Sequence, residues 1–164
     1  MTTTHWVLVA DSARARIFEC DQTLDPLTER MDRIHPASRA KVSELVSGAR
    51  GATAAGPGGS RSAYDRHSDP HRVEVERFAR EMADLLREGL TARSYERLIL
   101  IAPARFLGAL RSEIDSEVAR RVVAEVPRDF SMRPTHEMAR LVGDAVRAQQ
   151  DSGSGVVLET APRS

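Results

Sequence analysis

Three arginines stand in a stretch that has almost no large apolar side chains. Arg50, Arg61 and Arg66 lie within GARGATAAGPGGSRSAYDR, residues 48–66. Guanidinium groups beside the backbone amides of Gly56-Pro57-Gly58-Gly59 have the chemistry to hold a phosphate. The stretch is neither a P-loop nor a dinucleotide fingerprint. The P-loop lysine is missing, and the segment does not run from a strand into a helix. Glycine is costly to order, so residues 48–68 are expected to form a mobile loop. Structureless loops longer than about 12–15 residues are uncommon inside domains and are usually functional or disordered.

Other residue sets offer chemistry but lack its full complement. Asp11 follows an apolar run, where a metal-dependent nuclease needs a carboxylate. The second apolar run, LILIAP, supplies no partner acid. Glu74, Glu76, Glu81 and Asp84 fall on a long helical pattern and read as a solvated face. Asp11 therefore reads first as a turn former that accepts nearby backbone amides. His67 and His71 are four apart, but Pro70 stands between them and no cysteine joins them, so no metal site is expected. There is no Gly-x-Ser-x-Gly elbow. Cys20 has no adjacent histidine and reads as a small packed side chain. No catalytic residue, cofactor or metal is assigned.

The elements that must position these residues follow from periodicity. HWVLVA (5–10) is a buried strand, Asp11-Ser12-Ala13 a turn, and RARIFEC (14–20) a second strand in a hairpin. Residues 27–35 alternate but are more polar, which predicts an edge strand ended by Pro36. Ala40 to Ser47 predicts a short helix closed by Gly48. Asp69 as N-cap and Pro70 at the first position open the strongest helix, with Val75, Phe78, Ala79, Met82, Leu85, Leu86 and Leu90 on one stripe. RLILIA (97–102) is a continuous run suited to a central parallel strand. Phe106 to Val118 predicts a helix broken near Asp115, residues 121–126 a fifth strand, and 134–149 a last helix. Residues 151–164 are rich in Ser, Gly and Pro and read as a flexible tail.

This order predicts an α/β fold: a five-stranded mixed sheet built from an antiparallel three-strand meander and two parallel βα units, with helices on both faces. It is the ribonuclease-H-like order, with the fourth strand beside the first. Ligands in such sheets favour the crevice at the carboxyl ends of the parallel strands. That crevice would gather Asp11, Ser12 and Arg14 from one side, and Pro103, Arg105 and Arg111 from the other.

At 164 residues one domain is expected, over residues 1–150. The net charge is zero with 29% charged residues, which argues against whole-molecule attraction to nucleic acid or anionic membrane and leaves room for a local basic patch. One cysteine excludes an internal disulfide and fits a reducing compartment. No apolar run reaches the roughly 18 residues that span a bilayer. No basic start leads into a hydrophobic stretch, so no Sec leader is expected. The expectation is a cytoplasmic protein without a membrane partner. Composition does not specify an oligomeric state.

Three pieces of text, WVLVADSARARIF, DPHRVEVERFAREM and LILIAPARFLGALR, together resemble the bacterial host-attachment protein family, described as required for attachment to host cells. The resemblance covers about residues 5–150. That family is in turn similar to the central domain of archaeal and eukaryotic class-1 peptide-chain release factors and Pelota. In release factors a Gly-Gly-Gln loop precedes the long helix. Gly58-Gly59-Ser60 stands in the corresponding place here, with Ser60 in place of the glutamine that ester hydrolysis requires. The resemblance implies a non-enzymatic binding protein that engages RNA or the ribosome through the loop carrying Arg50, Gly58, Gly59, Ser60, Arg61 and Arg66. A small hydrolase or nuclease centred on Asp11 is the competing reading. An indirect role in attachment is a third.

Overall fold

The structure, a computed structural model, describes residues 2–36 and 69–152. The short helix expected at 40–47, the glycine-rich stretch and the tail beyond Ser152 lie outside the described residues. In chain order the elements are β1 (His5–Ala10), β2 (Arg14–Cys20), β3 (Thr28–Ile34), α1 (Pro70–Thr91), β4 (Arg97–Ile101), α2 (Ala104–Glu113), α3 (Ser116–Arg121), β5 (Val122–Val126) and α4 (Thr135–Asp151). The sheet runs β3-β2-β1-β4-β5. β1 pairs antiparallel with β2 and parallel with β4, Val7 opposite Phe18 on one side and Ile99 on the other. β3 is the polar edge strand that its alternation predicts.

All six side chains of β1 are buried. Alternation sends Trp6, Leu8 and Ala10 into one cluster with Val75, Phe78, Met82 and Leu86 of α1 and Phe106, Leu107 and Leu110 of α2. Val7 and Val9 go into a second cluster with Phe18, Ile99, Ile101 and Met138, Val142 and Val146 of α4. A sheet that feeds two cores needs apolar side chains at consecutive positions, and HWVLVA and RLILI supply them.

Local chemistry sets the helix ends. The Asp69 carboxylate accepts the His71 N–H at 3.0 Å and Pro70 fills the first turn of α1. The helix closes in a Schellman turn, with Arg93 N–H donating to Leu90 O at 3.0 Å and Ser94 N–H to Gly89 O at 2.8 Å. Arg93 takes the left-handed position with φ 57°. The expected break falls where Ile114 turns extended and Asp115 caps α3 by accepting Val118 N–H at 2.9 Å. Two expected bounds are corrected: Arg121 ends α3 instead of opening β5, and Asp151 ends α4 instead of opening the tail.

Candidate functional site

The site is the edge of the sheet at the carboxyl ends of β1 and β4. There the chain leaves β1 through Asp11-Ser12-Ala13. Asp11 holds this turn closed: its Oδ1 accepts the N–H groups of Ala13 and Arg14 at 2.7 Å each, and its own N–H donates to Arg14 O at 2.8 Å. Its Oδ2 lies 2.8 Å from the Ser131 hydroxyl. Ser131 is fully buried in the loop that joins β5 to α4, and its hydroxyl also lies 2.7 Å from Asp129 Oδ1. A hydroxyl has one proton, so it serves one of these two carboxylates at a time. The turn of β1 is thereby tied to the loop ahead of α4.

The two arginines of β2 complete the tie. Arg14 makes a forked pair with Asp32 of β3 at 2.8 and 2.6 Å. Arg16 is 3% exposed and places every donor of its guanidinium. Two go to Glu29 at 2.8 and 3.2 Å, two to the carbonyls of Arg133 and Ser131 at 2.6 and 3.4 Å, and one to Thr135 Oγ1 at 2.7 Å. The guanidinium also lies over the Phe18 ring at 5.1 Å. The Arg16 hydrogen bonds hold the Glu29 carboxyl below its ordinary range, and those of Arg14 do the same to Asp32.

On the other side of the turn, His35 follows β3 and donates its N–H to Ala13 O at 2.7 Å. Its Nε2 meets Glu74 Oε2 of α1 at 2.9 Å, with both side chains 7% exposed. The imidazole stacks on Phe78 at 4.9 Å, and Phe78 meets Phe106 at 5.9 Å. An imidazole oriented by a carboxylate is the arrangement of a general base. Here, however, it is packed against aromatic core, where a substrate cannot reach it, so the pair works as a staple. Glu74, expected on a solvated face, is buried, and this corrects the expectation. It stands one turn before Phe78 on the apolar stripe, and His35 and Arg77 are polar partners that permit its burial.

Asp11 and Arg14 meet the loop ahead of α4. Ser12 is half-buried in the same turn. Arg105, at the start of α2, lies 3.8 Å from Asp69 at the start of α1. Arg111 pairs with Glu125 on β5. No side-chain contact among the described residues joins the Asp11–Arg14 turn to Arg105 or Arg111, whose ion pairs are with Asp69 and Glu125. Among the described residues, no group of three or more His, Cys, Asp or Glu side chains has the arrangement to hold a metal ion. Arg50, Gly58, Gly59, Ser60, Arg61 and Arg66 lie outside the described residues. Local pattern reading missed His35, Glu74, Arg16 and Ser131. Two signals were available: a carboxylate on the buried stripe of α1, and the Asp-x-Ser spacing of 129–131, which favours a side chain-to-backbone turn.

One consequence concerns the segment between His35 and Asp69. His35 is bound to the β1–β2 turn, and Asp69 is bound to the start of α2. The His35–Glu74 pair joins one end of that segment to the helix that begins at the other.

A family model described as "Protein required for attachment to host cells" matches residues 6–142. No curated protein matches the chain.

Proposed function

The chain belongs to the family of proteins required for attachment to host cells, and from that premise we propose a non-enzymatic binding protein related to translation release factors. It engages RNA or the ribosome through Arg50, Arg61 and Arg66 around Gly58-Gly59-Ser60. One observation carries the reading: the segment that holds those residues starts and ends at the carboxyl ends of β1 and β4, where open α/β sheets take their ligands. Among the described residues, Asp11 and His35 at that edge are already committed. Both oxygens of Asp11 have partners, and His35 is buried against Glu74. That supports binding over catalysis. The strand order supports a ribonuclease-H-like assignment with helices on both faces, and a cytoplasmic setting and an indirect effect on attachment belong to the same proposal.

The test is sedimentation of cell extract through a sucrose gradient, with RNA binding measured across a salt series. Wild type is expected to travel with ribosomes or RNA. Its affinity should fall with salt at a log–log slope of about −0.7 per single-strand phosphate neutralised. Replacing Arg50, Arg61 and Arg66 together by alanine should flatten that slope. Equal, salt-insensitive affinity in both proteins would refute the reading. Peptidyl-tRNA hydrolysis lost on Ser60→Ala would favour the hydrolase alternative.

A further inference from the structure

An open groove of about 610 Å³ lies at the other end of the parallel strands, where α1 ends, β4 begins and α3 begins. That volume is within the range of small-ligand sites, about 300–1,000 Å³. Leu90 and Tyr95 give it apolar surface, and Thr91 and six charged side chains line the rest. Three of those six charges have an ion-pair partner. Arg87 is bound to Asp115, whose other oxygen caps α3. Glu117 pairs with Arg120 at 3.0 Å. The Tyr95 hydroxyl donates to Leu86 O at 2.6 Å. What remains is Arg93, Arg121 and Glu96, none of which has a side-chain hydrogen bond or ion pair among the described residues. The uncommitted charge of the groove is therefore positive.

A second observation is independent of the groove. Arg93 occupies the left-handed position of the Schellman turn that closes α1, with φ 57°. Glycine is the favoured residue there, because a Cβ crowds the following carbonyl. A residue held in a costly conformation points to a role for its side chain. Here that side chain is a guanidinium without an ion pair among the described residues, in the same groove as Arg121.

We propose that this groove binds a small phosphate-bearing ligand, with its phosphate held between Arg93 and Arg121 and a hydroxyl of the same molecule received by Glu96. Paired guanidinium forks suit phosphate oxygens better than any other side chains do. A carboxylate beside them would repel a second phosphate and accept a sugar hydroxyl. The ligand class is thus a monophosphate of a sugar or nucleoside. This site is distinct from the strand-end edge and does not depend on the proposal made for it.

Arg93→Gly gives a clean test, because glycine fits the turn and removes only the guanidinium. Melting temperature and calorimetric titration are measured with inorganic phosphate, ribose 5-phosphate, AMP and, as the phosphate-free control, adenosine. Wild type is expected to bind ribose 5-phosphate and AMP more tightly than inorganic phosphate, and to ignore adenosine. At a concentration 100-fold above Kd its melting temperature should rise by roughly 5–10 °C. Arg93→Gly should melt no lower than wild type without ligand, yet bind at least about tenfold more weakly. Arg121→Ala should lose binding in the same way. The proposal is overturned if none of the phosphates shifts wild type at millimolar concentration, or if Arg93→Gly and Arg121→Ala bind as wild type does. RNA binding left intact in Arg93→Gly would separate this groove from the strand-end edge.

Discussion

Replacing Arg16 by lysine keeps the charge and removes the fork. Arginine at this position serves Glu29 twice, the carbonyls of Ser131 and Arg133, and Thr135 Oγ1. Lysine has three donors on one nitrogen and cannot span acceptors on β3 and on the loop ahead of α4 together. Thr135 Oγ1 keeps a partner, because it also donates to Glu29 at 3.0 Å. Glu29 is 25% exposed, so water replaces part of what it loses. The cost therefore falls on the carbonyls of Ser131 and Arg133, of which Ser131 belongs to a fully buried residue. A buried acceptor left without a donor costs about 1–3 kcal/mol and the weakened, partly solvated pair with Glu29 adds roughly 1 kcal/mol, so Arg16→Lys is expected to destabilise by roughly 2–4 kcal/mol. For a chain of this size that lowers the melting temperature by about 5–15 °C. Circular dichroism melts give the total, and amide exchange over residues 131–135 should show the loss concentrated there. Arg16→Met removes charge and fork together and should cost more. A melting temperature for Arg16→Lys within about 2 °C of wild type would mean that the fork geometry contributes nothing, and would refute the reasoning.

Gly89→Ala should destabilise α1, although alanine is the better helix former by about 1 kcal/mol. A Cβ there would stand 2.5 Å from the Trp6 ring, which is wedged against Tyr95, and overpacking of about 1–3 kcal/mol outweighs the propensity gain. A urea midpoint for the alanine variant above that of wild type would contradict this. Burial pushes the Cys20 thiol up to about 12, with Asp21 and Glu19 adding to the effect, so the native protein should react with iodoacetamide at neutral pH far more slowly than the urea-unfolded chain; equal rates would contradict it. Acid should weaken the fold through Glu29 and Asp32, whose carboxyls are depressed below 4.5 and 3.8 respectively by Arg16 and Arg14. A depressed folded-state value means that the contribution is complete above the ordinary value and lost as pH falls through the folded one. The stability difference between wild type and Glu29→Gln, followed by urea midpoint, should therefore shrink below about pH 4, and a difference that stays constant down to pH 2.5, about two units below the ordinary glutamate value, would contradict it.

The strands and helices were legible because their cause is local. HWVLVA and RLILI carry apolar side chains at consecutive positions, and only a strand buried on both faces requires that. Asp69-Pro70 and Asp115 mark helix starts through bonds to amides two and three residues ahead. The bonds that build the strand-end edge are of another kind. Arg16 meets its carbonyl acceptors across 115 and 117 residues, Asp11 meets Ser131 across 120, and His35 meets Glu74 across 39. Period and spacing flag such residues without naming their partners, so an acid on a helix read as solvated although it stood on the buried stripe. The same limit explains why the crevice and the glycine-rich stretch read as two separate candidates. Sequence places them far apart, whereas His35 before the stretch bonds to Ala13 of the β1–β2 turn, and Asp69 after it lies near Arg105 at the start of α2. Polar groups fixed in these contacts are not available for chemistry, but they hold the roots of the segment in register with the sheet.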